Sequence, residues 1–310
     1  MLGYIADMFD EGSETLKNSY LFIIFACFVT MKLVSYYQKQ KIQLHFSKRS
    51  ALMKEFVSKS NIRHFEYIPW FGAVNSLMQI VLYAFYEIRM KVAFPIKYER
   101  EMFNLSDGGT IALDWQIDHE GGFPLKGSHR PILVTLAGLS GGNDNGYMYS
   151  MMRTATENGF KCVVVNFRGA SGVKLTTGKV YSCSDWQDLR DPINYIHEKY
   201  CSGNTEYEKR NIYCYAVSLG AALLNLYLVN EGSQTPLTAA LVYAQPFDLK
   251  SNSKWFKKNG YGMFNCLLGL SFSFTLSSKL DELKELMDKD TFEQYVGGLK
   301  KHRFDLMGLD

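Results

Sequence analysis

Between residues 131 and 244 the sequence alternates short apolar runs with longer helix-periodic stretches, and this alternation limits the fold more than any other feature. The runs are 132–137, 162–167 (CVVVNF), 211–216 (NIYCYA) and 240–244 (ALVYA), separated by helical stretches near 147–157, 184–197 and 219–229. Strands that alternate with helices in this way predict a mostly parallel sheet covered by helices on both faces, an α/β architecture. Ahead of it, 100–105 and 110–115 flank Ser106-Asp107-Gly108-Gly109. Turn residues between alternating apolar positions predict a β-hairpin there. A loop at 120–130 with three glycines and a proline ends this antiparallel preface. After Asp248 the alternation stops. Segments 255–274 and 278–294 read as helices, the second with Leu280, Leu283, Leu286 and Met287 at three- and four-residue spacing. Such an insertion after a strand either caps the cleft or packs on the surface by its apolar stripe.

The N-terminal region is of another kind. Residues 20–37 read YLFIIFACFVTMKLVSYY, with Lys32 as the one charge. That length is just sufficient for a membrane-spanning helix, and Lys32 lies near one end, where its long stem reaches the interface. A secretory signal peptide has a basic start and a small-residue cleavage site. Here the start is acidic (Asp7, Asp10, Glu11, Glu14). The run therefore reads as a single-pass N-terminal anchor, and a buried or monotopic helix is the alternative. Lys32, Lys39, Lys41, Lys48 and Arg49 place its C-terminal side in the cytoplasm. A second apolar stretch, 68–86, contains Pro69, Asn75, Ser76 and Gln79, and suits a packed or interfacial helix better than a second span. The expected organisation is an anchor with its flanks at 1–45, a helical lead-in at 46–97 and the α/β domain at 98–310.

The charge balance excludes some partners. Thirty-four Lys and Arg against 31 Asp and Glu leave a net charge of +3, with no basic block interleaved with aromatics, so no nucleic acid is implied. The six cysteines are scattered and form no C-x-x-C pair, which predicts neither a disulfide framework nor a zinc site and suits a reducing compartment. Nothing identifies a protein partner.

Two motifs carry chemistry. Ala216-Val217-Ser218-Leu219-Gly220 sits where an apolar strand meets a helix. A nucleophile elbow needs a sharp turn at such a junction, with small residues two before and two after the serine, so that its hydroxyl projects above the sheet. Gly220 meets that need, and Ala216 adds one methyl to the usual glycine. The helix that follows points its N-terminus at Ser218, which makes the Leu219 N–H a candidate oxyanion donor. The alternative is a serine in an ordinary strand–helix turn. The second motif, Leu136-Ala137-Gly138-Leu139-Ser140-Gly141-Gly142, directly follows the first parallel strand, where a glycine-rich backbone turns N–H groups into the cleft. The Leu139 N–H is the second candidate donor. No G-x-G-x-x-G register supports a dinucleotide, and Asn143-Asp144-Asn145-Gly146 lacks the distant bidentate acid of a calcium loop. No metal or organic cofactor is expected.

Five segments together resemble the type-four AB-hydrolase family, the membrane-anchored abhydrolase-domain lipases and their bacterial esterase relatives. They are Pro69-Trp70 with Leu77-Met78-Gln79; Tyr98-Glu99-Arg100-Glu101 with 107–115 (DGGTIALDW); Gly138-Leu139-Ser140-Gly141; Asn166-Phe167-Arg168-Gly169; and Val217-Ser218-Leu219-Gly220. The resemblance implies an α/β-hydrolase fold, a Ser–His–Asp triad and hydrolysis of carboxylic esters, often acyl lipids. It makes Ser218 the nucleophile and Leu139 and Leu219 the oxyanion donors. Ala137 and Ala216 depart from the family's His or Pro and Gly at those positions.

The larger departure lies after the serine. In α/β-hydrolases the acid and the histidine follow the nucleophile in chain order. The one histidine in 219–310, His302, sits in the basic stretch Lys300-Lys301-His302-Arg303 and reads as a solvated surface residue. His119, His129 and His197 come before Ser218, Asp305 and Asp310 have no final strand to position them, and Asp248 matches the family's Pro-x-Asp turn. The sequence thus predicts a nucleophile without its Asp and His. That pattern fits either a C-terminally shortened hydrolase or an inactive relative used as a membrane subunit or scaffold.

Overall fold

The computed structural model describes residues 2–70, 73, 75–139, 141–258 and 262–301. The chain divides into two compact units, Met1–Tyr86 and Glu87–Asp310.

In the first unit, α1 (Leu2–Tyr37) contains a 20-residue portion, Asn18–Tyr37, long and apolar enough to cross a membrane and only 6% buried. Two residues beyond the end of α1 the chain turns into β1 (Gln40–Lys41), which pairs antiparallel with β2 (Glu66–Tyr67). Between them lies α2 (Ala51–Lys59), whose start is fixed by Ser50: its hydroxyl accepts from the Met53 N–H at 3.2 Å, an N-cap bond. The apolar stretch expected over 68–86 becomes helical only at Ser76, as α3 (Ser76–Ala93). The reason is local. Asn75 accepts from the Met78 N–H at 2.9 Å and so caps the helix, while Pro69 remains outside it.

The second unit holds the sheet. The hairpin of β3 (Tyr98–Asn104) and β4 (Thr110–Gln116) forms as predicted, paired from Tyr98 with Gln116 to Asn104 with Thr110. The alternation follows as β5 (Ile132–Leu136), α4 (Gly146–Glu157), β6 (Lys161–Asn166), α5 (Gln187–Ile196), β7 (Ile212–Val217), α6 (Leu219–Glu231) and β8 (Ala239–Tyr243). The strand order is β3-β4-β6-β5-β7-β8, with β6, β5, β7 and β8 mutually parallel. This is the α/β-hydrolase arrangement. Side chains from α5 and α6 (Leu189, Ile193, Leu223, Leu224, Tyr227) pack with Trp115, Val134, Leu136 and Val165 on one face. On the other face Met148 and Met152 of α4 cover Leu133, Cys162 and Val164.

Two expectations need correction. The sheet is not covered on both faces throughout: every residue of β8 is exposed, and β8 is the edge strand among the described residues. Its apolar composition marks a strand, but burial depends on neighbours, and β8 has one strand neighbour where β7 has two. The two helices expected after Asp248 are four: α7 (Leu249–Lys258), α8 (Met263–Ser277), α9 (Leu280–Leu286) and α10 (Lys289–Lys301). Gly262 enters α8 with φ +75°, a left-handed conformation through which no right-handed helix continues. Between α9 and α10, Asp288 accepts from the Thr291 N–H at 2.9 Å and caps a new helix.

Candidate active site

A single residue, Ser218, joins β7 to α6. Its backbone, at φ +53° and ψ −115°, lies outside the regions that suit an L-residue. Such a conformation costs on the order of 1–3 kcal/mol and persists only where the surroundings over-determine it. Here they do. The Ser218 N–H donates to the Tyr243 carbonyl at 2.8 Å, extending the β7–β8 ladder, and its carbonyl accepts from the Ala222 N–H at 3.1 Å inside α6. Small residues make the turn possible. A Cβ on Gly220 would lie 2.4 Å from the Ala137 carbonyl oxygen, so any side chain there displaces backbone. Ala216 is fully buried and sits in register between Leu136 and Val242, so its methyl replaces the usual glycine hydrogen within the packed sheet. The Ser218 hydroxyl is half-buried and has no hydrogen-bond partner among the described residues.

Opposite the serine stands the glycine loop after β5, where a Cβ on Gly138 would lie 3.2 Å from that of Ser218. Five N–H groups of this loop are occupied. Gly138 donates to the Tyr147 hydroxyl (3.0 Å), Gly141 to the Gly138 carbonyl (3.0 Å) and Gly142 to Asn145 Oδ1 (2.7 Å). Asn143 donates to Asn166 Oδ1 (3.0 Å) and Gly146 to Glu87 Oε1 (3.0 Å). Burial raises the phenols of Tyr98 and Tyr147, so both stay protonated, and Tyr98 donates to the Asn143 carbonyl at 2.7 Å. The N–H groups of Leu139, Asp144 and Asn145 have no partner among the described residues; Leu139 of these directly follows Gly138, opposite Ser218, and Leu219, as the first residue of α6, has no intrahelical acceptor for its own N–H. Ser140 lies outside the described residues.

The loop is held from below by a carboxylate that sequence reasoning did not single out. Asp114, fully buried on β4, accepts from Asn143 Nδ2 (2.5 Å) and Asn166 Nδ2 (2.7 Å), and receives Arg100 in a two-pronged pair at 2.7 and 2.8 Å. The same Arg100 donates to the Ser171 carbonyl at 2.9 Å. One side chain thus ties the hairpin to the loops after β5 and β6. The signal was present, since a charged residue inside the strand TIALDWQ requires buried partners. A second buried pair, Arg168 with Asp188 at 2.6 Å, fixes the base of the loop after β6.

Between these loops lies a cavity of about 130 Å³ walled by Leu139, Phe167, Gly169 and Tyr181 and closed by Leu276 of α8 and by Lys279. Helix α8 thus lies over the loops after β5 and β6. Burial pushes the thiols of Cys162 and Cys201 up to about 11 and about 12, which leaves them poor nucleophiles.

No protein-family model matches the chain. Over 150 residues, 48% of its length, it is 33% identical to the phospholipase ABHD3 of Mus musculus and 35% identical to that of Homo sapiens, covering 35% of each. Over 218 residues, 68% of its length, it is 31% identical to the embryogenesis-associated protein EMB8 of Picea glauca and covers 44% of it. Over these stretches the chain is similar to abhydrolase-domain proteins. It spans well under two thirds of the length of these relatives. Among solved structures, the Pyrococcus furiosus esterase Pf2001 aligns over 62% of this chain and 68% of its own, at 15% identity and a TM-score of 0.41.

For a serine that would need a base, the positions of the histidines matter most. Lys161 at the start of β6 bonds Asp118, and His119 follows in that turn, at the end of the sheet opposite Ser218. His129 precedes β5 and His197 directly follows α5 on the way back to the start of β7, so both lie at that same far end. Asp248 commits its oxygens to the first turn of α7, accepting from the Ser251 N–H at 2.9 Å and its hydroxyl at 2.5 Å. His302, Asp305 and Asp310 lie outside the described residues. In this unit, therefore, the described residues set Ser218 opposite the glycine loop and place no histidine at the serine's end of the sheet.

Proposed function

We propose that this chain carries the nucleophilic half of a serine ester hydrolase acting on lipid or small carboxylic esters. The observation that carries the reading is the backbone of Ser218: a strained turn at +53° maintained at a strand–helix junction, facing a glycine loop whose Leu139 N–H is left free. Strain of that kind is retained at working sites. Ser218 Oγ attacks the acyl carbonyl, the Leu139 and Leu219 N–H groups hold the oxyanion, and the alcohol leaves with a proton as the acyl-enzyme forms. Water then cleaves the acyl-enzyme to release the acid. The base and its carboxylate partner, a His and an Asp, come from outside the described residues. The phospholipase, esterase and monoacylglycerol lipase names of the relatives support this substrate class. The apolar Asn18–Tyr37 helix would anchor the protein as a single-pass membrane protein.

A second reading, an inactive membrane subunit or scaffold with the same fold, draws on the solitary Ser218 hydroxyl. A fluorophosphonate probe applied to the full chain separates the two. Covalent labelling at Ser218, absent in Ser218→Ala, is the expected result. An unlabelled wild-type chain that remains folded by circular dichroism would leave the scaffold as the better account.

A further inference from the structure

The first unit has aromatic side chains at a defined depth relative to its apolar helix. Ser35 lies two residues before the end of α1, so at 1.5 Å per residue it sits about 3 Å inside that end. Its buried hydroxyl donates to the carbonyl of Pro69. The pairing of Gln40 with Tyr67 and the ion pair between Lys39 and Glu66 at 3.1 Å fix the same segment again. Residues 65–70 are thereby held level with the C-terminal end of the Asn18–Tyr37 portion.

At that level the surface composition is distinctive. Trp70 is 66% exposed and Tyr37 83% exposed, with Tyr36, Tyr67 and Ile68 also exposed. The Lys39 ammonium lies 5.0 Å over the Tyr36 ring. A groove of about 420 Å³ runs between the helix and the segment, lined by Lys32, Ser35, Tyr36, Ile68, Pro69 and Trp70. Tryptophan and tyrosine favour the boundary between water and lipid, where the ring is apolar and the N–H or O–H stays wet, and lysine stems there carry their charge to the headgroups. We propose that residues 65–70 form a second membrane-contacting element, with Ile68 and Trp70 seated in the headgroup layer beside the end of α1. The occupant of this face is the lipid surface. Its continuity with the apolar helix, through the Ser35–Pro69 bond, selects lipid over a protein partner. The proposal rests on the reading of α1 as an anchor. With both in place the protein has two attachments to the bilayer, and the Ser35–Pro69 bond holds the second at one depth.

The test uses the full chain reconstituted into phosphatidylcholine vesicles, with and without brominated acyl chains, beside Trp70→Phe. The chain is expected to float with the vesicles. Bromines near the headgroup should quench wild-type fluorescence, and this lipid-quenched component should be lost in Trp70→Phe. Moving the reporter in the double variant Trp70→Phe/Ile68→Trp should restore it, which guards against a folding defect in the single variant. Equal quenching of all three floating proteins would overturn the proposal and leave the anchor standing, and so would a Trp70 shielded from aqueous quencher but untouched by brominated lipid, the signature of a protein partner. A chain that does not float would overturn the anchor and this element together.

Discussion

Strands β7 and β8 lie side by side, parallel and similarly apolar, and each is followed by a residue held at φ +53°: Ser218 after the first, Ala244 after the second. Yet their surroundings are opposite. Ile212, Cys214, Ala216 and Val217 of β7 are buried, whereas all five residues of β8 are exposed. A wall of Leu133, Met151, Phe160, Tyr213, Tyr215 and Leu241 borders an open apolar space of about 390 Å³ beside them. The same backbone device thus appears on a strand clamped from both sides and on one clamped from a single side. The difference teaches that a strained turn needs a rigid frame to be useful. A hydroxyl on β7 is aimed, while a side chain at the end of β8 is merely placed.

Three experiments test that contrast. The largest effect should come from cavities on either side of it. Leu136, fully buried and in register with Ala216, should lose about 2–5 kcal/mol of stability on mutation to Ala, and Leu241 on β8 less than about 0.5 kcal/mol, both read from chemical denaturation. Similar losses at the two sites would mean that β8 is covered in solution. Next comes the strain itself. Replacing Ser218 by glycine should raise stability by about 1 kcal/mol, because the +53° backbone then carries no side-chain penalty, with a smaller gain for Ala244→Gly where the strand can relax. No gain at Ser218 would show the turn to be unstrained. The smallest effect concerns the opposite edge of the sheet. Glu101 on β3 is partly buried, and burial alone would raise its carboxyl, but bonds from Lys199, Tyr195 and Trp115 hold it below the usual range. A depressed carboxyl contributes stability that is complete above its unfolded value, near pH 4, and is lost as pH falls through the lower folded value. Melting temperature should therefore fall in acid, and Glu101→Gln should flatten that part of the profile.

Most of this architecture is legible in the residues. The parallel alternation, the hairpin at Asp107-Gly108-Gly109 and the strand–helix junction at Ser218 all follow from the spacing of apolar runs and turn residues. What escaped the sequence was set by single groups acting across space. Asp288 and Gly262 divided the helical insertion by a cap and a left-handed turn. The exposure of Leu241, Val242 and Tyr243 is invisible in a run that reads like any buried strand. Asp114 emerges as the support of the glycine loop only once Asn143 and Asn166 are seen to converge on it, since those partners are 29 and 52 residues away along the chain.

That convergence has a kinetic meaning. The hairpin strand β4, the loop after β5 and the loop after β6 cannot open one at a time, because releasing any of them leaves a buried carboxylate or its guanidinium short of a partner. Local opening at the candidate site is therefore coupled to separation of the hairpin. Amide hydrogens of Asn143 and of the hairpin's inner strand then belong to one cooperative unit of exchange, and a substitution in the antiparallel preface is felt as a loosening of the glycine loop long before the parallel core unfolds.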